Sequence, residues 1–348
     1  MKENNNYMTS EGFFLCKKGT PEEAFELRTF EVPALENNQV LIETEAFGLN
    51  YADVMARRGL YREAPAFPCI IGYEMVGKVV SCGDSVDKSL IGKRVMAFCR
   101  FGGYAKHVVT NDFAIQEVEN QPAEELLALC TQGVTAYYMA SYLTPVRAGD
   151  TVLIHAAAGG VGTLLIQLAK LQGAKVIAKV GRAEKESLVK ALGADHVVNY
   201  NTSDYVESII EYLGEERIDL SFNPVAGSTF KQDMSILGSG GRMVLFGGAQ
   251  LSNGKWGILS QLNFVRKMGL VLPIGLMMRS KNILGVNMLK IADNKPMVLK
   301  HCLTEVFKLY QSGKVKPQSG GSYSAHQLNE AHTALENGLT TGKLIVNW

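Results

Sequence analysis

The sequence predicts two domains, a β-rich domain and an α/β domain built on a doubly wound parallel sheet. The first supporting observation is the length of 348 residues, which is long for a single hydrophobic core. The second is a set of short extended runs with period-two alternation, such as 39–46 and 94–98, separated by glycines and prolines. The third is the alternation of helix-like and strand-like segments beyond about residue 122, which is typical of a parallel sheet covered by helices.

The α/β part is expected to hold five buried strands and a sixth that completes the sheet, with helices between them. The expected strands are 151–154, 174–179, 196–199, 218–223, 242–247 and 282–288, and the expected helices are 162–172, 183–192, 203–213 and 226–238.

The remaining segments define the domain boundaries. A helix at about 296–312 and the extended pieces after it are expected to return to the β-rich domain. The expected domains are therefore 1–124 with 291–348, and 125–290. The stretch 256–278, rich in Leu, Met and Gly, interrupts the alternation. It is expected either to line a substrate cleft or to form core and dimer surface.

A glycine-rich turn gives the first functional indication. Residues 151–162 place a buried strand directly before Ala-Ala-Ala-Gly-Gly-Val-Gly and a helix, the arrangement that binds a dinucleotide. Gly159 lets the backbone approach the pyrophosphate, and Gly162 lets the helix pack closely on the strand. Ala157 stands where the motif has its first glycine. The alternative is an ordinary strand-turn-helix that happens to contain glycines.

The tip of the second expected strand indicates which nicotinamide cofactor binds. An NAD site places a carboxylate there for the ribose 2′-hydroxyl, but this chain has Lys179-Val-Gly-Arg182 followed by Lys185. Arg182 and Lys185 suit a 2′-phosphate, so we expect NADPH. The alternative is that both are solvated charges at the start of a helix.

Composition excludes several classes of partner. The formal net charge is +1, with 35 Lys and Arg against 34 Asp and Glu and no basic block, so neither nucleic acid nor an anionic membrane is expected and a small-molecule substrate is favoured. The longest uncharged run, 126–146, contains too many polar residues for a membrane span. The six cysteines are scattered and the N-terminus lacks an apolar signal, which predicts a reduced, cytoplasmic protein.

Several segments resemble a known superfamily. The runs 47–61, 68–77, 155–162 and 192–200 resemble the zinc-independent quinone oxidoreductases of the medium-chain dehydrogenase/reductase superfamily. Asn-Tyr-Ala-Asp-Val-Met-Ala-Arg-Arg-Gly-Leu-Tyr, residues 50–61, is most similar to the vesicle amine transport protein branch. The resemblance implies a GroES-like catalytic domain, a Rossmann domain, and a homodimer formed through the sixth strand.

The resemblance also bears on metal. The zinc alcohol dehydrogenases of this superfamily have a Cys ligand where this chain has Asn50 and a His ligand where it has Tyr73, and only Cys99 remains of their structural zinc lobe. Without that Lewis acid, a simple ketone or alcohol is a poor substrate. We therefore expect no metal and an acceptor that is already electrophilic, a quinone or an α,β-unsaturated carbonyl.

The resemblance assigns roles to individual residues. Asn50 and Tyr61 would donate hydrogen bonds to the acceptor carbonyl, Asp53 would begin a helix or orient a neighbour, and Met55 departs from a frequent tyrosine. The residues expected to bind the cofactor lie in the glycine turn, near the adenosine phosphate, at strand ends and beside the nicotinamide: Thr135, Ala158, Gly159, Gly160, Val161, Gly162, Gly181, Arg182, Lys185, Tyr200, Asn223, Phe246 and Gly247. His155 is expected to be a buried structural histidine.

The expected function is NADPH-dependent hydride transfer to quinones or enones. No general acid stands out in the sequence, which leaves water as the expected proton donor. One alternative is a nucleotide-binding sensor or membrane-associated partner with little catalysis, because fold does not dictate function. A less favoured alternative is a zinc alcohol dehydrogenase.

Overall fold

The computed structural model describes residues 8–250 and 257–348. Contacts divide the chain into two compact units. The first unit comprises Met1–Val134, Ile291–Lys308 and Pro317–Trp348, and the second comprises Thr135–Lys290 and Leu309–Lys316.

The strands of the described residues follow in chain order. They are β1 (Thr9–Leu15), β2 (Phe25–Glu31), β3 (Gln39–Leu49), β4 (Cys69–Ile70), β5 (Glu74–Cys82), β6 (Arg94–Phe98), β7 (His107–Asn111), β8 (Ile115–Glu117), β9 (Thr151–Ile154), β10 (Lys175–Val180), β11 (His196–Asn199), β12 (Ile218–Asn223), β13 (Leu237–Leu245), β14 (Asn282–Gly285), β15 (Ser319–Ser324) and β16 (Lys343–Asn347).

The helices of the same residues are α1 (Pro21–Ala24), α2 (Tyr51–Arg57), α3 (Ala123–Leu127), α4 (Val134–Tyr137), α5 (Gly160–Leu171), α6 (Glu186–Ala191), α7 (Tyr205–Leu213), α8 (Ser228–Ile236), α9 (Gly257–Met268), α10 (Pro273–Arg279), α11 (Met288–Asn294), α12 (Pro296–Gln311) and α13 (Leu328–Glu336). Ala128–Gly133 and Tyr138–Leu143 form π-helical turns.

The first unit is built around a mostly antiparallel sheet. Its strand order is β15-β16-β3-β5-β6-β8, with β7 paired to β3, and only β15 and β16 run parallel. A smaller sheet has the order β2-β1-β4. Alternating apolar side chains of β3 and β5, including Ile42, Phe47, Met75 and Val79, form the buried core. The expected β-rich, GroES-like domain is confirmed.

The second unit contains a parallel sheet of order β11-β10-β9-β12-β13-β14 within the described residues. Its central strands are buried, since residues 151–154 and 176–180 all have little exposure, as expected for strands covered on both faces, and Thr151 and Lys179 are the polar residues among them. The chain leaves β9 towards one edge and returns to β12 on its other side. The carboxyl ends of β9 and β12 therefore flank the switch point where such sheets bind ligands. The expected Rossmann fold is confirmed.

Some element boundaries differ from the sequence expectation. The fifth strand of the sheet was expected at 242–247, but β13 runs from Leu237 to Leu245. The Phe246 N–H still donates to the Asn223 carbonyl at 3.3 Å, but beyond it the chain bends towards the residues after β12, where the Ala249 N–H donates to the Pro224 carbonyl at 3.0 Å. The sixth strand ends at Gly285 rather than at Met288. The stretch expected to interrupt the alternation contains α9 and α10, while its first residue, Trp256, lies outside the described residues.

Candidate active site

The glycine turn of the second unit joins β9 to α5. Gly159 precedes the helix in an extended conformation, and the amide groups of the helix's first turn have no carbonyl partner within the helix. A side chain at Gly162 would place Cβ 2.5 Å from the Ala156 oxygen and 2.7 Å from Ala157 Cα. The close approach of the helix to the turn before it therefore requires a glycine at this position, and the turn has the form that receives a pyrophosphate.

The next strand end carries the predicted 2′-phosphate residues. A Cβ at Gly181 would lie 2.4 Å from the Tyr200 hydroxyl, so these two residues are in close contact. Arg182 is exposed and Lys185 is half-buried. Burial and the neighbouring Arg182 charge both lower the pKa of Lys185, and a phosphate placed beside them would relieve the repulsion between the two cations.

The remaining predicted cofactor residues lie at other places in the second unit. Thr135 is half-buried in α4. A Cβ at Gly247 would lie 2.7 Å from the Pro224 carbonyl oxygen, and Gly247 is exposed beside Phe246.

Asn223 has a different environment from the one expected. Its amide nitrogen donates to Thr229 Oγ1 at 2.9 Å and to Asp233 Oδ2 at 2.8 Å, and its oxygen accepts the Val225 and Ala226 N–H groups at 2.9 Å. Both hydrogens and the oxygen are thus engaged inside the unit. The Asn223 side chain therefore holds the turn after β12, and its contact with a cofactor stays a prediction.

Asp233, which the sequence did not single out, is the centre of that buried network. His155 Nε2 lies 2.9 Å from its carboxylate, and Ser221 Oγ and Tyr205 Oη donate to it at 2.6 and 2.8 Å. Burial raises the pKa of Asp233, but these partners outweigh burial and leave the pKa below its ordinary value. His155 is buried and paired, in agreement with the structural role expected for it.

In the first unit, the Asn50 side chain lies between the buried Glu74 carboxylate and the buried Lys343 ammonium group. Its Nδ2 donates to Glu74 Oε1 at 2.7 Å, and its Oδ1 accepts from Lys343 Nζ at 3.0 Å. Lys343 also pairs with Glu74 and donates to the Leu49 carbonyl at 3.0 Å. Because one side of the amide meets an acceptor and the other a donor, the orientation of Asn50 is fixed. The Asn50 Nδ2 carries two hydrogens, and the one that is not donated to Glu74 can be donated to a ligand.

Tyr61 and Tyr73 meet near this site. Tyr61 is half-buried and its ring contacts the edge of the Tyr73 ring, with centroids 6.4 Å apart. Tyr73 is buried, packs against Phe101 at 5.2 Å, and its hydroxyl has no hydrogen-bond partner in the described parts of the chain. Burial raises the pKa of both hydroxyls, so both stay protonated at neutral pH and can donate.

Asp53 connects α2 to the interior of the first unit. Its Oδ2 accepts the Asn50 N–H at 2.8 Å and the Tyr104 hydroxyl at 3.0 Å. Asp53 therefore caps the start of α2, which is one of the two roles expected for it. Tyr104 Oη also lies 3.1 Å from His332 Nε2. Burial raises the pKa of Asp53 to about 7 against the opposing effect of these hydrogen bonds and of the Lys343 charge. Met55 is buried.

The residues at the two former ligand positions do not suit zinc. Asn50 and Tyr73 replace the usual thiolate and imidazole donors, and Asn50 is already held by Glu74 and Lys343. Among residues 8–250 and 257–348, no group of three or more His, Cys, Asp or Glu side chains is arranged to hold a metal ion. We derive no step through a metal.

Sequence reasoning missed Lys343, Tyr104 and His332. Lys343 stands 269 positions from Glu74 and reaches it because β16 pairs with β3 beside Leu49. A lysine in the otherwise apolar closing segment Lys343-Leu-Ile-Val was the one signal available, since a buried strand rarely holds an unpaired cation.

Comparisons with known proteins agree with this architecture. A model of the alcohol dehydrogenase GroES-like domain matches residues 36–141, and a zinc-binding dehydrogenase model matches residues 160–302. A probable quinone oxidoreductase of Schizosaccharomyces pombe is 32% identical over 336 residues, which cover 94% of each chain. The synaptic vesicle membrane protein VAT-1 homolog of Danio rerio is 29% identical over 90% of this chain. The chain spans 65% of that relative's length.

A solved structure extends the likeness. Escherichia coli quinone oxidoreductase complexed with NADPH aligns with a TM-score of 0.83 and 26% identity, over 98% of this chain and 100% of the other. The fold and the matches define an oxidoreductase built from an alcohol dehydrogenase GroES-like domain and a Rossmann domain. The chain belongs to the medium-chain dehydrogenase/reductase superfamily and, within it, is close to the quinone oxidoreductases and VAT-1 homologs. The resemblance inferred from the sequence is thereby confirmed.

Proposed function

We propose that this protein is an NADPH-dependent, zinc-independent oxidoreductase that transfers a hydride to quinones or α,β-unsaturated carbonyls. The observation that carries the proposal is the buried Asn50 amide, held between Glu74 and Lys343 at the position where zinc relatives bind their metal. A preorganised neutral donor at this place suits an acceptor that needs only hydrogen bonds on its oxygen.

Asn50 and Tyr61 are the proposed catalytic residues. The free Nδ2 hydrogen of Asn50 would donate to the acceptor carbonyl as negative charge develops on it. Asn50 is fixed before the acceptor arrives, so no reorganisation of the amide is needed. The Tyr61 hydroxyl, kept protonated because burial raises its pKa, would donate to the same oxygen.

The second unit would hold the cofactor. The turn Ala158–Gly162 would receive the pyrophosphate, Arg182, Lys185 and Tyr200 the 2′-phosphate, and Thr135 the nicotinamide amide. Phe246 and Gly247 would border the site. The bound cofactor supplies the hydride from its nicotinamide ring.

The proposal is tested by incubating the purified protein, treated with a chelator, with NADPH and a panel of quinones and enals. We expect NADPH oxidation that depends on the acceptor and falls by about 10²-fold in Asn50→Ala, as for loss of one oxyanion donor. If the protein binds NADPH tightly but reduces no acceptor of the panel, the nucleotide-binding sensor is supported instead. Activity that requires added zinc would support the alcohol dehydrogenase alternative.

A homodimer is part of the proposal. The strand β14 lies at the edge of the parallel sheet within the described residues. The neighbouring α9–α10 region exposes large apolar side chains, among them Leu262 at 62%, Leu270 at 87% and Met278 at 80%. An edge strand beside such a surface suits pairing with a second copy. Light scattering should give twice the mass of 38.0 kDa, and a monomer would contradict this part.

We also propose a cytoplasmic location and the functional domains 1–124 with 291–348, and 125–290. Support for the location is the set of six cysteines, all of them free, which suits a reducing compartment. No helix in the described residues is both long and apolar enough to cross a bilayer.

A further inference from the structure

A buried lysine lies near the carboxyl end of β10, in the second unit. Lys179 is 6% exposed and stands three positions before Arg182. Its Nζ makes neither a hydrogen bond nor an ion pair with any residue that the structure describes. Lysines are almost never buried to this extent unless they are paired, and removing an ammonium group from water without an acceptor is costly. A buried cation without an acceptor, at the sheet edge where ligands bind, indicates a role other than stability.

Two tyrosine rings take the place of an acceptor. Lys179 Nζ lies over the Tyr205 ring, 3.3 Å from its centroid, and over the Tyr200 ring, 5.3 Å from its centroid. A cation within about 6 Å of an aromatic face is attracted to the ring, and more strongly where water is excluded. Tyr205 is 4% exposed and Tyr200 is 51% exposed. The ammonium group therefore joins a buried ring to an exposed one.

The buried ring is a fixed support. The Tyr205 hydroxyl donates to Asp233 Oδ1 at 2.8 Å, and its ring meets the His155 ring edge to face, with centroids 5.6 Å apart. Both partners belong to the buried network around Asp233. Because this network holds the Tyr205 ring in place, the ring in turn holds the Lys179 ammonium group in place.

The exposed ring stands beside the end of β10. The Tyr200 N–H donates to the Val180 carbonyl at 3.0 Å, and Asn201 Nδ2 donates to the Gly181 carbonyl at 2.5 Å. A Cβ at Gly181 would lie 2.4 Å from Tyr200 Oη, so the hydroxyl occupies the space that a side chain would fill. Tyr200 Oη therefore lies beside the residue that precedes Arg182, where the 2′-phosphate is proposed to bind.

The charges around Lys179 leave it mostly protonated. Burial lowers the pKa of Lys179 to about 8, while the Asp233 and Asp204 charges oppose this effect. Most of the ammonium group therefore stays charged at pH 7. Asp204 is engaged elsewhere, since its Oδ1 accepts the Val206 and Glu207 N–H groups at 2.8 and 3.2 Å.

We propose that Lys179 is a positioning residue that sets the preference for NADPH over NADH, an inference that rests on the proposed function. Its ammonium group holds the Tyr200 ring so that the hydroxyl is in place to donate to the 2′-phosphate before the cofactor arrives. A donor fixed in advance loses less conformational freedom on binding. Lys179 acts through Tyr200, whereas Arg182 and Lys185 contact the phosphate themselves. NADH has no phosphate at this position and gains nothing from the arrangement.

The test measures the Kd of NADPH and of NADH by fluorescence titration for Lys179→Met, Tyr200→Phe and the double variant. Lys179→Met removes the charge and should raise the Kd for NADPH about tenfold, as for loss of a cation–π contact shielded from water, and the Kd for NADH by less than about twofold. Tyr200→Phe removes the donor and should also raise the Kd for NADPH about tenfold. Because Lys179 acts through that hydroxyl, the double variant should lose no more affinity than Tyr200→Phe alone.

Lys175→Met is the matched control, because Lys175 lies at the opposite end of β10. Its side chain is 39% exposed and its Nζ pairs with Glu216 at 2.8 Å, so this variant should leave both Kd values unchanged. The melting temperature of Lys179→Met should change little, because the substitution breaks no hydrogen bond. Lys179→Gln, which is also uncharged, replaces Lys179→Met in the test if the methionine variant does not fold.

Three results would refute the role of Lys179 and leave the proposed function standing. They are an unchanged Kd for NADPH in Lys179→Met, an equal loss of affinity for NADPH and NADH, and losses that add in the double variant. If the wild type binds NADH as tightly as NADPH, the proposed cofactor preference fails and this inference fails with it. If the wild type prefers NADPH but reduces no acceptor, the proposed reaction is refuted, while the expected changes in Kd would still support the role of Lys179.

Discussion

Replacing Lys343 by methionine should destabilise the first unit strongly. Lys343 and Glu74 are both 0% exposed and form an ion pair. Lys343→Met keeps a similar apolar volume but removes the only cation that the described contacts give to Glu74. The remaining partners of that carboxylate, Asn50 Nδ2 at 2.7 Å and the Thr131 N–H at 2.6 Å, are neutral donors.

The magnitude follows from the burial of both groups. Breaking a buried ion pair by removing one partner typically costs about 3–5 kcal/mol, because an uncompensated charge stays behind. Adding Glu74→Gln to Lys343→Met removes that charge, but a glutamine has one acceptor atom and an NH₂ group where Glu74 has two acceptor oxygens. One of the two N–H donors is left unpaired, at about 1–3 kcal/mol. The double variant should therefore be more stable than the single one by about 2 kcal/mol.

Urea unfolding followed by far-UV circular dichroism measures these differences, provided that the m value is unchanged between variants. Lys295→Met, a change of the same type at an exposed position, is the control and should stay within about 0.5 kcal/mol of the wild type. A loss below about 1 kcal/mol in Lys343→Met, or a double variant no more stable than the single one, would refute the reasoning.

Three further predictions concern other parts of the chain. Gly162→Ala should lower the free energy of unfolding by about 1–3 kcal/mol, because the added Cβ would lie 2.5 Å from the Ala156 oxygen. The control Gly275→Ala in α10 should leave the free energy of unfolding unchanged, because nothing lies within 4 Å of its Cβ. Equal urea midpoints for the two variants would contradict this prediction. Arg182→Ala should weaken NADPH binding about tenfold by loss of one charge-assisted contact, and should change the Kd for NADH by less than about twofold. If fluorescence titration shows the same loss of affinity for both cofactors, the 2′-phosphate assignment is wrong. Because the pKa of Asp53 is raised to about 7 when folded and is about 3.9 when unfolded, the folded state binds the extra proton between these values. Its stability should fall by up to about 4 kcal/mol as pH rises from about 4 to about 7; the same slope in Asp53→Asn would assign it to another group.

Local sequence patterns predicted most of the fold because the signals were short-range. The apolar run 151–154, the glycines at 159 and 162 and the turn glycines between elements each constrain their own neighbourhood. The end of β13 was predicted two residues too far along, because Phe246 and Gly247 look like a strand in the sequence, whereas the chain there bends so that the Ala249 N–H donates to the Pro224 carbonyl at 3.0 Å. That contact joins residues more than twenty positions apart, so a local sequence pattern does not reveal it.

The candidate site was predictable only in part for a similar reason. Asn50 and Tyr61 lie in one motif and could be named from it, whereas the groups that fix Asn50, Glu74 and Lys343, come from β5 and β16. Sequence spacing does not reveal which oxygen of Asp53 is left without a partner or how far its burial raises the pKa. Asn223 was assigned to the cofactor by its position at a strand end, and only the structure shows that all its polar atoms are used within the turn.

The most direct measurement of the central claim follows deuterium into an enone from NADPH that carries deuterium at both C4 positions, using protein whose metal content has been determined. The account predicts a saturated product with one deuterium on its β-carbon, formed at an undiminished rate by protein with far less than one zinc per chain. A product without deuterium, or deuterium transfer that stops when zinc is removed and resumes when it is restored, would contradict it.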